Sequence, residues 1–125
     1  MGTIENLTAD TFAVAADADG ITVVDFWAAW CGPCRAMAPQ FERAAQLRPN
    51  YRFAKVDVDA EPALAARYGV RSIPTLLVLR HGEPVAAQAG VVPAQALVDA
   101  IDRIAATADA QAIGAQAADT QAVRA

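Results

Sequence analysis

Residues 21–39 read ITVVDFWAAWCGPCRAMAP and hold both cysteines of the chain, Cys31 and Cys34. The first seven, Ile21 to Trp27, are β-branched and aromatic, apolar on both alternations, and interrupted only by Thr22 and Asp25. A strand with one wet face alternates between apolar and polar, whereas a strand covered on both faces does not, so this run predicts a central strand. From Cys34 onward Met37, Phe41, Ala44 and Ala45 follow the helical period, which predicts a helix to about Arg48. Pro39 should kink it, because proline has no N–H to give the preceding turn. The two thiols therefore stand where a buried strand hands over to a helix.

Further elements follow on either side of this junction. Ile4 to Leu7 is a weak edge strand, and Thr8 is an N-cap for a helix through about Ala16 with Phe12 facing inward. Tyr51 to Asp59 reads as a second interior strand. Pro62 opens a short helix that Gly69 ends, and Thr75 to Arg80 is a third apolar strand. HGEP, residues 81–84, turns the chain so that Val85 to Ala89 pairs back as a hairpin. Pro93 to Ile104 is amphipathic, with Leu97, Ile101 and Ile104 inward. The order is β-α-β-α-β, a short helix, then β-β-α. That is an α/β class with a central mixed β-sheet of four to five strands flanked by about four helices. From Thr107 onward the only large apolar residues are Ile113 and Val123. We therefore expect one domain over 1–106 and an Ala/Gln-rich tail over 107–125, disordered or a frayed helix, with too little to bury.

Composition narrows the function. The chain has 125 residues, 55% of them hydrophobic, enough for a core without staples. A net charge of -4 with no basic run argues against nucleic acid or an anionic membrane as partner. No apolar stretch approaches the roughly 18 residues needed to span a bilayer. The opening MGTIENLTAD lacks a basic start followed by an apolar core, so no signal peptide is expected and the default location is cytoplasmic. A mature exported form would read the same. Nine of the ten basic residues are arginine, which singles out Lys55, since lysine can lose its proton when buried and arginine effectively cannot.

Two thiols separated by Gly-Pro admit three readings. A structural metal site needs about four Cys or His ligands, and the chain offers two Cys and His81, the latter in a hairpin turn far along the sequence. A staple across so short a loop constrains the unfolded chain by only roughly 2 kcal/mol, and a reducing cytoplasm would open it. A redox pair fits better. Helix N-termini carry unpaired N–H groups and a positive dipole end, which favour a thiolate at Cys31. Cys31 projects ahead of the helix and is expected to be reachable, while Cys34, inside the first turn, is expected to be more covered. Gly32 and Pro33 add no charge to stabilise that thiolate, which points toward a donor of electrons.

WCGPC, the flanking DFWA and MAP, then KVDVD, YGVRSIPTLLVLRHGE and the Gly90 region together resemble the thioredoxin family, in its order and spacing, over about residues 4–105. The resemblance implies a thioredoxin fold and a protein-disulfide oxidoreductase with no bound cofactor beyond a redox-active Cys31–Cys34 disulfide. Cys31 is then the nucleophile and Cys34 the resolving thiol. Asp25 assists proton transfer, its pKa raised by burial, and Lys55 lies beside it. Gly32, Pro33 and a cis Pro74 tune the site, and Ile73 pairs its backbone with an extended client. Trp30, Gly32, Ile73, Gly90 and Val91 line the docking rim, with Trp27 packed beneath. Reducing equivalents would come from NADPH through a separate flavoprotein, thioredoxin reductase. Its other partners would be oxidised client proteins, and the chain would act as a monomer.

Ala29 and Arg35 depart from common family residues on the rim. Plainer readings stand beside these. Asp25 and Lys55 could form a structural pair, Pro74 an ordinary loop, and Asp57, Asp59 and Glu61 a solvated strand end. Two rival functions are an adaptor or assembly subunit with incidental thiols, and an exported disulfide oxidase or isomerase.

Overall fold

The computed structural model describes residues 4–16 and 19–111. Nine elements run β1 (Ile4–Asn6), α1 (Ala9–Ala16), β2 (Ile21–Trp27), α2 (Gly32–Leu47), β3 (Arg52–Asp57), α3 (Pro62–Arg67), β4 (Thr75–Arg80), β5 (Glu83–Ala89) and α4 (Ala94–Gln111). One sheet of order β1-β3-β2-β4-β5 forms the middle layer. β1, β3 and β2 are parallel; β4 runs against β2, and β5 against β4. The mixed sheet with four helices is the expected architecture.

Strand alternation splits the core into two. Val23, Phe53, Leu76 and Val78 meet Met37 and Phe41 of α2 and Leu97, Val98 and Ile101 of α4. Val24, Phe26, Ala54, Val56 and Leu77 meet Phe12 of α1 and Leu64 of α3 on the opposite face. Asp25 shares the parity of Val23, so its carboxyl is directed toward the α2 side of the sheet.

Several boundaries differ from expectation; β3, for one, is Arg52–Asp57, shorter than the expected Tyr51–Asp59. α2 begins at Gly32, two residues early, because Cys31 itself acts as N-cap, with Pro33 in the first turn. The hairpin turn is two residues, not four: His81 and Gly82 have φ of 50° and 83°, the left-handed pair that suits a tight turn, and Arg80 already pairs with Glu83. Pro84 is tolerated in β5 because that strand is an edge, beside a register shift at Val78/Leu79. α4 continues to Gln111, past the expected end at Ile104. The rest of the expected tail, 112–125, lies outside the described residues, as do parts of the loop between α1 and β2.

Antiparallel β4 decides what meets the cysteines. Phe26 is opposite Thr75, and Thr75 opposite Ala89, so the end of β2, the start of β4 and the end of β5 share one edge of the sheet. Trp27 is beside Asp57, which brings the end of β3 there too.

Candidate active site

At that edge Cys31 and Cys34 are joined as a disulfide, with Cα atoms 5.2 Å apart. The geometry follows from the capping role of Cys31. Its backbone is extended (φ -89°, ψ 112°), and its Sγ accepts the amide of Cys34 at 3.1 Å. An amide aimed at that sulfur stabilises the same atom as a thiolate when the pair is reduced, and the helix dipole adds to the effect. Cys31 O receives the amide of Arg35 at 3.2 Å, which locks the first turn behind it.

The two cysteines do not differ in burial. Cys31 is 3% exposed and Cys34 4%, so the expected contrast between a reachable and a covered thiol is corrected. Both pack with Ala28 against Trp27, Val58 and Ile73, which together cover Cys31 as fully as Cys34. What separates them is chemistry: Cys31 receives the amide and caps the helix, and Cys34 does not. Gly32 and Pro33 are exposed above the pair, and a side chain at Gly32 would stand in open space, so packing does not require glycine there.

Asp25 is 1% exposed, and neither carboxylate oxygen has a hydrogen-bond partner among the described residues. Burial pushes its pKa up to about 7, with Lys55 pulling the other way. Lys55 is paired with Asp25 in the β2–β3 register, and its Nζ lies 4.6 Å from the centre of the Trp27 ring. Trp27 is half-buried beneath the site, and its Nε1 is unpartnered among the described residues.

The Ile73–Pro74 peptide bond is cis, Pro74 is buried, and Ile73 O stands 3.7 Å from Cys31 Sγ. Gly90 donates its amide to Pro74 O at 2.9 Å. Its φ of 94° is a conformation that side-chain-bearing residues rarely adopt, which accounts for glycine at this bend. Among the described residues the exposed large apolar side chains are Val14, Trp30 (67%) and Val91 (47%); Trp30 directly precedes Cys31, and Val91 follows Gly90, which is bonded to Pro74. Contacts thus join the cysteines to Trp27 and Ile73, and Pro74 to Gly90, at one end of the sheet, with Asp25 and Lys55 paired two residues back from the ends of β2 and β3.

Two side-chain contacts at the site were not expected. Asp59 accepts the indole N–H of Trp30 at 2.8 Å and so sets the orientation of the most exposed ring. In the sequence it is one of three nearby acids, and nothing there distinguishes it. Arg35 donates to Ala29 O at 2.8 Å and ties down the loop before the cysteines. Among the described residues no cluster of His, Cys, Asp and Glu could hold a metal ion, and no helix is long and apolar enough to cross a membrane.

Comparison with known proteins agrees with this geometry. The Thioredoxin family model matches residues 3–103, which include every residue named above at the site. Thioredoxin from Streptomyces clavuligerus is 44% identical over 98 residues, covering 78% of this chain and 92% of that one. Thioredoxin from Bacillus subtilis is 42% identical over 90 residues, 71% of this chain and 86% of the relative. Among solved structures, a mutant thioredoxin from Halobacterium salinarum superposes with a TM-score of 0.77 at 33% identity, covering 83% of this chain and 92% of that one.

Proposed function

Since the chain belongs to the thioredoxin family, protein-disulfide oxidoreductases that work through a redox-active CxxC pair, we propose that it is a cytoplasmic, monomeric reductant of protein disulfides with Cys31 as its nucleophile. The observation that carries the assignment of roles is the amide of Cys34 aimed at Cys31 Sγ. It makes Cys31 the better thiolate of two equally buried cysteines.

Reduction proceeds in two exchanges. The Cys31 thiolate attacks one sulfur of a client disulfide, forming a mixed disulfide and releasing the other client sulfur as a thiolate, which takes a proton from solvent. Cys34 then gives its proton to the Asp25 carboxylate and attacks Cys31 Sγ. The second client sulfur leaves, the Cys31–Cys34 disulfide closes, and two electrons have passed to the client. A carboxyl with a pKa of about 7 is suited to take and return that proton near neutrality. Lys55 moderates its charge. The client's extended segment pairs with the backbone of Ile73 beside Pro74 and rests on Trp30, Gly90 and Val91. Gly32 and Pro33 leave the approach uncharged. The disulfide is returned to the dithiol by a separate flavoprotein reductase drawing on NADPH.

Insulin reduction with a dithiol donor tests this. Wild type should precipitate the freed B chain well ahead of Cys31→Ser, and equal rates would end the proposal. Cys34→Ser should accumulate mixed disulfides through Cys31, and their absence would remove the two-step scheme.

A further inference from the structure

Residues 90–93 carry Gly90 and Val91 and lead directly into α4. Besides the bond from Gly90 to Pro74, this loop is held by two side chains of α2, the helix that carries the cysteines. Met37 Sδ accepts the amide of Val92 at 3.3 Å, and Gln40 Oε1 accepts the amide of Ala94 at 2.8 Å. Met37 and Gln40 are three residues apart and therefore neighbours on one helix face.

The loop has no side chain of its own for this work. The first amides of a helix need acceptors, normally from a Ser, Thr, Asp or Asn just before it. Here the chain reads Gly-Val-Val-Pro, so Gln40 caps α4 from a different helix. Met37 is completely buried, where a leucine would fill much the same space; the thioether adds an acceptor. Val91 thus sits between two anchored residues, Gly90 and Val92, and its exposed side chain is held in place before any client arrives. A preset contact loses less conformational freedom on binding than a mobile one.

We propose that Met37 and Gln40 are positioning residues for protein clients: by fixing loop 90–93 to α2 they set the docking rim, and they leave the thiol chemistry itself alone. This rests on the docking role given to Gly90 and Val91 above. A small aromatic disulfide, which needs no rim, should therefore be indifferent to them.

The test uses the full chain as wild type, Met37→Leu, Gln40→Leu, Gln40→Glu and the Met37→Leu/Gln40→Leu pair. With two hydrogen bonds lost, the paired variant should show an insulin KM raised about tenfold with little change in kcat. Its reduced form should react with 5,5′-dithiobis(2-nitrobenzoate) at the wild-type rate. Backbone amide exchange at Val92 and Ala94 should quicken in the leucine variants, and Gln40→Glu, which keeps the acceptor, should restore both exchange and KM. If the pair folds poorly, the single leucine variants carry the same comparison with smaller shifts. An unchanged insulin KM would overturn the inference. So would an equal loss toward insulin and the small disulfide, which marks a merely structural role. A wild type inactive on insulin would instead overturn the function on which the inference rests.

Discussion

Asp25 occupies a position that opposes its own charge, and this has a consequence for stability. In the unfolded chain its carboxyl titrates near 3.9, while burial in the fold raises the value to about 7. Below about pH 4 it is protonated in both states and contributes no difference. As pH rises from 4 to 7 the unfolded chain ionises and the fold resists, so stability falls, by on the order of 4 kcal/mol, and levels off above 7. Asp25→Asn should lack this slope and be the more stable protein at pH 8, with the advantage gone at pH 4. Urea denaturation at the two pH values checks it. The same variant should slow insulin reduction, since the resolving step loses its proton acceptor. At Cys31 the prediction concerns reactivity. In the reduced protein at pH 7, iodoacetamide should label Cys31 about tenfold faster than Cys34, because only its sulfur has a thiolate-stabilising amide. Mass mapping that finds equal labelling would remove the capping argument.

Elements were legible where local chemistry sets them. β2 and β4 have the bounds read from the sequence, because both are apolar on the two alternations and closed by a change of character. The start of α2 was not legible, since a cysteine that caps a helix gives no compositional sign. The start of β5 depended on His81 adopting a left-handed conformation, which the sequence does not announce. Contacts between elements were hidden altogether. Asp59 holding Trp30 is one. Another joins the end of α2 to α4: Asp102 accepts from Arg48 Nε and Nη2 at 2.9 and 2.6 Å and from Tyr51 OH at 2.9 Å. Arg48 holds the Asp102 carboxyl below the usual carboxylate range. This stability is present above the unfolded pKa and is lost as pH falls through the folded one. Asp102→Asn should therefore melt a few degrees below wild type at pH 7, and thermal scans into acid should bring the two together.

At the scale of the molecule, topology gathers the site. Residues 25, 31, 34, 55, 74 and 91 are scattered through the chain, and in the sequence only the resemblance of motifs joins them. The physical reason is the antiparallel entry of β4 beside β2, which returns the Ile73–Pro74 loop and the end of β5 to the edge where the cysteines begin. Gly32 and Pro33 put no charged side chain between the two cysteines. An uncharged approach leaves the dithiol poorly stabilised relative to the disulfide, which is the disposition of a reductant. The reduction potential of the Cys31–Cys34 pair, measured by equilibration with glutathione or a reference dithiol, tests this most directly. A value of about -270 mV is expected; one of about -180 mV or higher would contradict a reductant's role and mark an isomerase or oxidase instead.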